Sequence, residues 1–238
     1  MYDRRPAISF LRDLIRPDQR KATLVFFSSV LLMVTWKHFC AVEFYLENLQ
    51  PHFVWRKDPQ ATAAIYHFLG CFVLLGLIPA LLVRFVLRES LVDYGVGIGK
   101  WRRTLVVTAI TLPVFLLFAY FGSGDAAMAQ EYPMNKSAGK MFALHAATYL
   151  LYYLGWEFHF RGFLQVGLRD GVGVFNAIWV GVMASTLLHI GKPGPELFLA
   201  ILAGLSWGFM ALYTRSLLAG ILTHATLGIL VDWLMVAR

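Results

Sequence analysis

Apolar runs separated by charged or turn-forming residues recur along the chain. They lie at about 22–45, 62–87, 104–121, 141–168, 173–190, 196–214 and 216–236. Each approaches the roughly 20 residues that a helix needs to cross a bilayer. The first is interrupted by Lys37, His38 and Glu43. The pattern predicts an all-α, multi-pass transmembrane helical bundle of about seven helices. It also predicts a charged N-terminal segment at 1–21 and one membrane domain over 22–238.

Composition supports this reading. Of 238 residues, 58% are apolar and 15% are charged, against about 45–50% and about 25% in soluble domains. A soluble globule could not hide that much apolar surface, and a disordered chain would not carry it. The net charge of +7 does not point to nucleic acid, because the basic residues sit at the ends of apolar runs, where they anchor helices against lipid headgroups. Arg4, Arg5, Arg12, Arg16, Arg20 and Lys21 precede the first run; Arg84, Arg88, Lys100, Arg102 and Arg103 follow the second, and Arg169 and Arg215 mark later loops on the same side. The opposite loops hold fewer: Arg56, Lys57, Lys136, Lys140 and Lys192. Basic residues favour the cytoplasmic side, so the N-terminus is expected there and the C-terminus opposite, if seven runs span. Cys40 and Cys71, the two cysteines, have neither metal-type spacing nor the look of a disulfide framework.

Ionisable groups inside a membrane are costly and mark candidate sites. Residues four apart share a helix face. The fourth run then presents His145, Tyr149, Tyr153, Glu157 and Arg161 as one polar stripe. The fifth presents Gly181, Ser185 and His189; the seventh presents Gly220, His224, Gly228 and Asp232. At about 1.5 Å per residue, Glu157, His224 and His189 lie about 16, 12 and 20 Å from the cytoplasmic ends of their runs, differences that helix tilt absorbs. The last four runs can thus aim a carboxylate and two imidazoles at one buried point. That set suits water activation: Glu157 and a histidine take the proton, a second histidine steadies an oxyanion, and Arg161 pairs with Glu157 one turn away. His67 and His159 fall off the stripes and read as structural; His38 and His52 read as interfacial. Gly204 and Gly208 form a small-xxx-small pair that reads as helix packing.

The stretch Trp156-Glu157-Phe158-His159-Phe160-Arg161-Gly162 resembles the first motif of the CPBP family, Glu-Glu-x-x-x-Arg followed by Gly. These are intramembrane glutamic proteases that include CAAX prenyl endopeptidases and bacteriocin-processing or immunity proteins. Ser185 to His189 is similar to the family's Phe-x-x-x-His motif, and His224 to Gly228 to its His-x-x-x-Asn or Asp motif. The glycine-rich connector Asp93 to Arg102 resembles the segment that precedes the family core, so the likeness covers about 91–238. Three positions depart from the family pattern: Trp156 replaces the first glutamate, Ser185 the phenylalanine and Gly228 the asparagine. The resemblance implies a hydrolase in which Glu157 and His189 activate water, His224 holds the oxyanion and Arg161 orients Glu157. Asp232, one turn beyond Gly228, stands in for the missing asparagine. Glu196 reads as a cap at the start of the sixth helix.

The implied substrate is a membrane-anchored peptide or protein, such as a lipidated tail, a sorting signal or a leader, cut in a bacterial inner membrane without a cofactor. Three alternatives stay open. One is a non-catalytic membrane-binding protein of the same fold, an immunity or scaffold protein. A second is a zinc hydrolase, less favoured because the His-x-x-x-His and His-Glu-x-x-His spacings are missing. A third is a transporter whose stripe lines an ion path. Oligomeric state is not legible.

Overall fold

The computed structural model describes residues 19–238, apart from the side chain of Arg56. The basic segment expected on the cytoplasmic side lies, through residue 18, outside the described residues. All regular structure among them is helical. Seven longer helices correspond to the seven apolar runs: α1 (Arg20–Phe39), α2 (Pro59–Val86), α3 (Trp101–Gly122), α4, α5 (Val174–Leu187), α6 (Gly194–Thr214) and α7 (Leu218–Ala237). Helix α4 runs without a break through Phe142–Glu157, a π-helical stretch at Phe158–Leu164, and Gln165–Val172. Among the described residues, five helices, α1, α2, α3, α6 and α7, are long and apolar enough to cross a membrane. The polar stripe interrupts the apolar character of α4, and α5 has only 14 residues. The protein is a multi-pass membrane protein.

Local sequence sets the helix ends. Asp58 caps α2 by accepting from the Ala61 amide at 2.9 Å, with Pro59 opening the helix. The same carboxylate accepts from Ser137 Oγ at 2.6 Å, tying the start of α2 to the loop before α4. Those hydrogen bonds, the Ala61 amide first, hold the Asp58 carboxyl below its usual range.

Helix α4 is the central element, packed against α2, α5 and α7, while α3 packs along α7 and α5 along α6. Glycines permit the closest crossings. At Gly155 an added Cβ would lie 2.7 Å from the Cys71 carbonyl oxygen, so α4 and α2 touch backbone to backbone. At Gly208 it would meet Ile178 at 2.9 Å and Gln165 Oε1 at 3.0 Å, and Gln165 Nε2 donates to the Gly208 carbonyl at 3.0 Å. The small-xxx-small pair therefore seats α6 on α5 and α4. The core around α4 includes Trp36, Leu75, Phe158, Phe160 and Phe163. Cys40 and Cys71 are buried free thiols. Large apolar side chains such as Phe27, Ile110 and Phe198 point outward, where lipid replaces water as the solvent.

Helix ends gather on two faces. One, the basic face, joins Lys21 to Glu89 at 2.8 Å and Arg103 Nη1 to the Tyr213 carbonyl at 3.3 Å. There, burial raises the Glu89 carboxyl, but the hydrogen bonds from Lys21 and Tyr94 outweigh it and hold it below its usual range. The opposite face joins Lys192 to Glu131 at 2.6 Å, Tyr132 Oη to Glu196 Oε1 at 2.7 Å and Arg238 Nη1 to the Ser123 carbonyl at 2.7 Å.

Candidate active site

Four of the five residues singled out from the sequence cluster near the middle of the bundle. The Glu157 side chain is 1% exposed. His224 Nδ1 donates to Glu157 Oε1 at 2.7 Å, and Arg161 Nη1 lies 3.5 Å from the same oxygen. The other oxygen presses on α7: a Cβ at Gly220 would stand 2.9 Å from Glu157 Oε2. Glycine at 220 therefore makes the room that lets α7 deliver His224 to the carboxylate. Trp207 from α6 stacks on the His224 ring at 3.7 Å between centroids, and its Nε1 donates to Thr223 Oγ1 at 2.9 Å. The Arg161 guanidinium carbon lies 5.3 Å from the Trp207 ring, a cation–π distance.

His189 follows the end of α5. Its Nδ1 donates to the Ser185 carbonyl at 2.8 Å, and its ring meets Trp156 edge-on at 5.6 Å. Both imidazoles thus commit Nδ1 to a fixed acceptor. In a neutral ring, that leaves Nε2 with the lone pair. The sequence suggested that Glu157 would share a water with His189; the carboxylate instead bonds His224.

A cavity of about 520 Å³ adjoins this cluster. Arg161, His189, His224, Tyr153 and Trp156 line it, and Glu157 does not, so the carboxylate stands behind the wall that Arg161 and His224 form.

Asp232 lies elsewhere. His145 Nε2 donates to Asp232 Oδ2 at 2.7 Å, with both side chains almost fully buried. This second carboxylate–histidine pair fastens α4 to α7, two turns beyond His224 along α7. Asp232 does not reach the position expected of an oxyanion partner, because His145 takes it up. The polar group beside Gly228 is Tyr153. A Cβ at Gly228 would overlap Tyr153 Oη and lie 2.7 Å from its Cζ. The phenol occupies the space that a longer side chain at 228 would need. It stands beside His224, the ring centroids 4.5 Å apart.

Sequence reasoning placed Tyr153 on the stripe without seeing this contact, and missed Trp207 and Glu196 as site residues. Glu196 lies in the first turn of α6, but no side chain caps that helix; its carboxylate accepts from Tyr132 and lines the cavity instead. Nothing in the spacing of Trp207 distinguishes it from a packing aromatic. Among the described residues, no group of three or more His, Cys, Asp or Glu side chains is gathered closely enough to hold a metal ion.

Fold and site together define a membrane-embedded bundle with two imidazoles, a guanidinium and a buried carboxylate gathered at one cavity. Residues 138–230 match the family model described as type II CAAX prenyl endopeptidase Rce1-like. The match runs from just before α4 into α7 and takes in every residue of the cluster, and over those residues it bears out the resemblance to the CPBP family, a family of proteases. The connector 91–103 lies outside it. No curated protein and no solved structure matches the chain.

Proposed function

We propose that the protein is an intramembrane endopeptidase that hydrolyses a peptide bond in a membrane-anchored substrate. The observation that carries this reading is the pair of cavity-lining imidazoles, each with Nδ1 committed, beside a buried Glu157–Arg161 pair. His189 Nε2 takes a proton from water as the water oxygen attacks the scissile carbonyl carbon. The carbonyl π electrons move onto oxygen, and His224, protonated at Nε2 and held through Nδ1 by Glu157, donates a hydrogen bond to that oxyanion. The intermediate collapses, the C–N bond breaks, and the proton held by His189 passes to the leaving amine. Glu157 fixes the ring of His224, as the acid of a triad does for its histidine, and Arg161 pairs with Glu157. No step requires a metal. Metal analysis of the pure protein tests this point, and stoichiometric zinc lost in Glu157→Ala would overturn it.

The loop charges support a cytoplasmic N-terminus, and together with the family resemblance they support the bacterial inner membrane as the location. The test is a mass-spectrometric census of protein termini in membranes from cells making the natural chain or His189→Ala at equal expression. Termini of a few anchored proteins that vanish in the variant support the hydrolase. Identical termini from a folded variant favour the second reading, a non-catalytic binder of a membrane partner. That reading is motivated by Trp156 in place of the first glutamate and by Glu157 standing off the cavity wall.

A further inference from the structure

The cavity is one-sided. On α3 its lining begins at Thr111 and runs to Asp125 beyond the helix; on α6 it runs from Pro195 to Trp207; on α7 it begins at His224. On α4 it stops at Arg161. Each of the helices that line it, α3 to α7, therefore contributes its middle or the half that ends on the face of Lys136, Lys140 and Lys192. None contributes the half that ends on the basic face.

The basic side is closed by the connector that precedes α3. Leu217 N donates to the Gly95 carbonyl at 3.0 Å, Lys100 N donates to the Thr214 carbonyl at 2.7 Å, and Ser216 Oγ donates to the Gly97 carbonyl. Gly99 makes this clasp possible. Its φ is +59°, and a Cβ there would fall 2.5 Å from the Thr214 carbonyl oxygen. About 10 Å of packed helix, from Trp207 to Thr214, separates the cavity from that surface.

The other end is open. Lining residues Phe118, Leu199 and Leu202 are 43%, 37% and 64% exposed, which leaves a gap between α3 and α6 facing the acyl chains. Asp125, Pro195 and Glu196 line the cavity mouth at the aqueous face. Glu196 Oε1 accepts from Tyr132, while Oε2 is buried without a hydrogen-bond partner in the protein. A buried acceptor of this kind calls for a donor from whatever fills the mouth. From Glu196 to Trp207 the cavity extends about 16 Å along α6, the length of about five extended residues.

We propose that the substrate reaches the site from the face opposite the basic connector, sliding between α3 and α6 out of that leaflet. Its class is a membrane-anchored protein whose apolar, extended cleavage segment lies on the Lys136–Lys140–Lys192 side and presents a hydrogen-bond donor to Glu196. On the loop charges this is the extracytoplasmic side. The class rests on the endopeptidase reading; the route does not.

The route is tested by thiol labelling in sealed right-side-out and inverted vesicles with a membrane-impermeant methanethiosulfonate. Lys140→Cys and Arg102→Cys, both exposed, report which face is outward; the unsubstituted chain, with its buried cysteines, gives the background. Ala203→Cys and Ser206→Cys both sit on the cavity wall, so one reports if the other misfolds. The expected result is labelling of both from the Lys140 side alone. Labelling from the Arg102 side, from both sides or from neither overturns the route. A termini census unchanged by His189→Ala, with labelling as expected, removes the hydrolase and leaves the route standing.

Discussion

Gly228→Ala is predicted to destabilise the protein through Tyr153. Helix α7 approaches α4 so closely at this point that the new methyl would overlap the phenolic oxygen and lie 2.7 Å from Cζ and 3.2 Å from Cε2. Carbon atoms rest at about 3.5–4.0 Å, so relief requires a shift of about 1 Å by the ring or the helix. The ring is not free to swing. Tyr149 lies 4.7 Å from it on one side and His224 4.5 Å on another, centroid to centroid. Overpacking of this kind costs about 1–3 kcal/mol, which for a chain of this size lowers the melting temperature by about 2–12 °C. The assay is thermal unfolding in lipid nanodiscs, with Gly122→Ala as control. At Gly122 an added Cβ meets nothing within 4 Å, so that change is neutral or slightly stabilising. Tyr153→Phe removes the overlapping oxygen but not Cζ, so Gly228→Ala should cost less in that background, though still more than zero. Melting of the single variant at or above the parent temperature would refute the packing argument. Equal cost in both backgrounds would show that the phenol is not what fills the space.

Other consequences of the site are equally direct. Glu157→Gln keeps the shape but removes the charge that supports His224, and should lower cleavage by about 10²-fold or more, read from the termini census; undiminished cleavage would sink the Glu157–His224 assignment. Gly220→Ala would force Glu157 Oε2 from its position 2.9 Å away and should reduce cleavage while surface mutants at Lys140 do not. The Asp58 carboxyl is held below its usual range by the Ala61 amide and Ser137. Its contribution is therefore full at neutral pH and is lost as pH falls through the folded-state value, below about 4. The melting temperature of Asp58→Asn should accordingly fall less with acidification than that of the parent.

The helical scaffold was legible because lipid-facing helices must be apolar over their whole length. The runs at 62–87 and 104–121 lie close to α2 and α3. The first overshot: α1 ends at Phe39, and short helical turns carry the chain onward to Leu49. The stripe His145, Tyr149, Tyr153, Glu157 is buried on α4 as its period required. Pairing between helices was harder to read. Which histidine reaches Glu157, and which takes up Asp232, depends on the rotation and depth of each helix, and glycines at 155 and 220 set these by allowing close approach. A four-residue spacing carries no information about the neighbour on the next helix. The phenol at Gly228 is of the same kind, since a missing side chain in one helix is filled by another 75 positions earlier.

The clasp between the connector and the turn from α6 to α7 joins residues 119 positions apart at Ser216 and Gly97. Contacts of such sequence separation close late, because the loop between them must be ordered first. During synthesis, α1 to α3 are in place long before Thr214 and Leu217 exist. The connector then has no partner, and its carbonyls face water. The floor of the chamber is therefore laid last, and His224 arrives with it on the same hairpin. A nascent chain lacks both its second imidazole and its seal until the final helix inserts, so chamber and chemistry mature in one step.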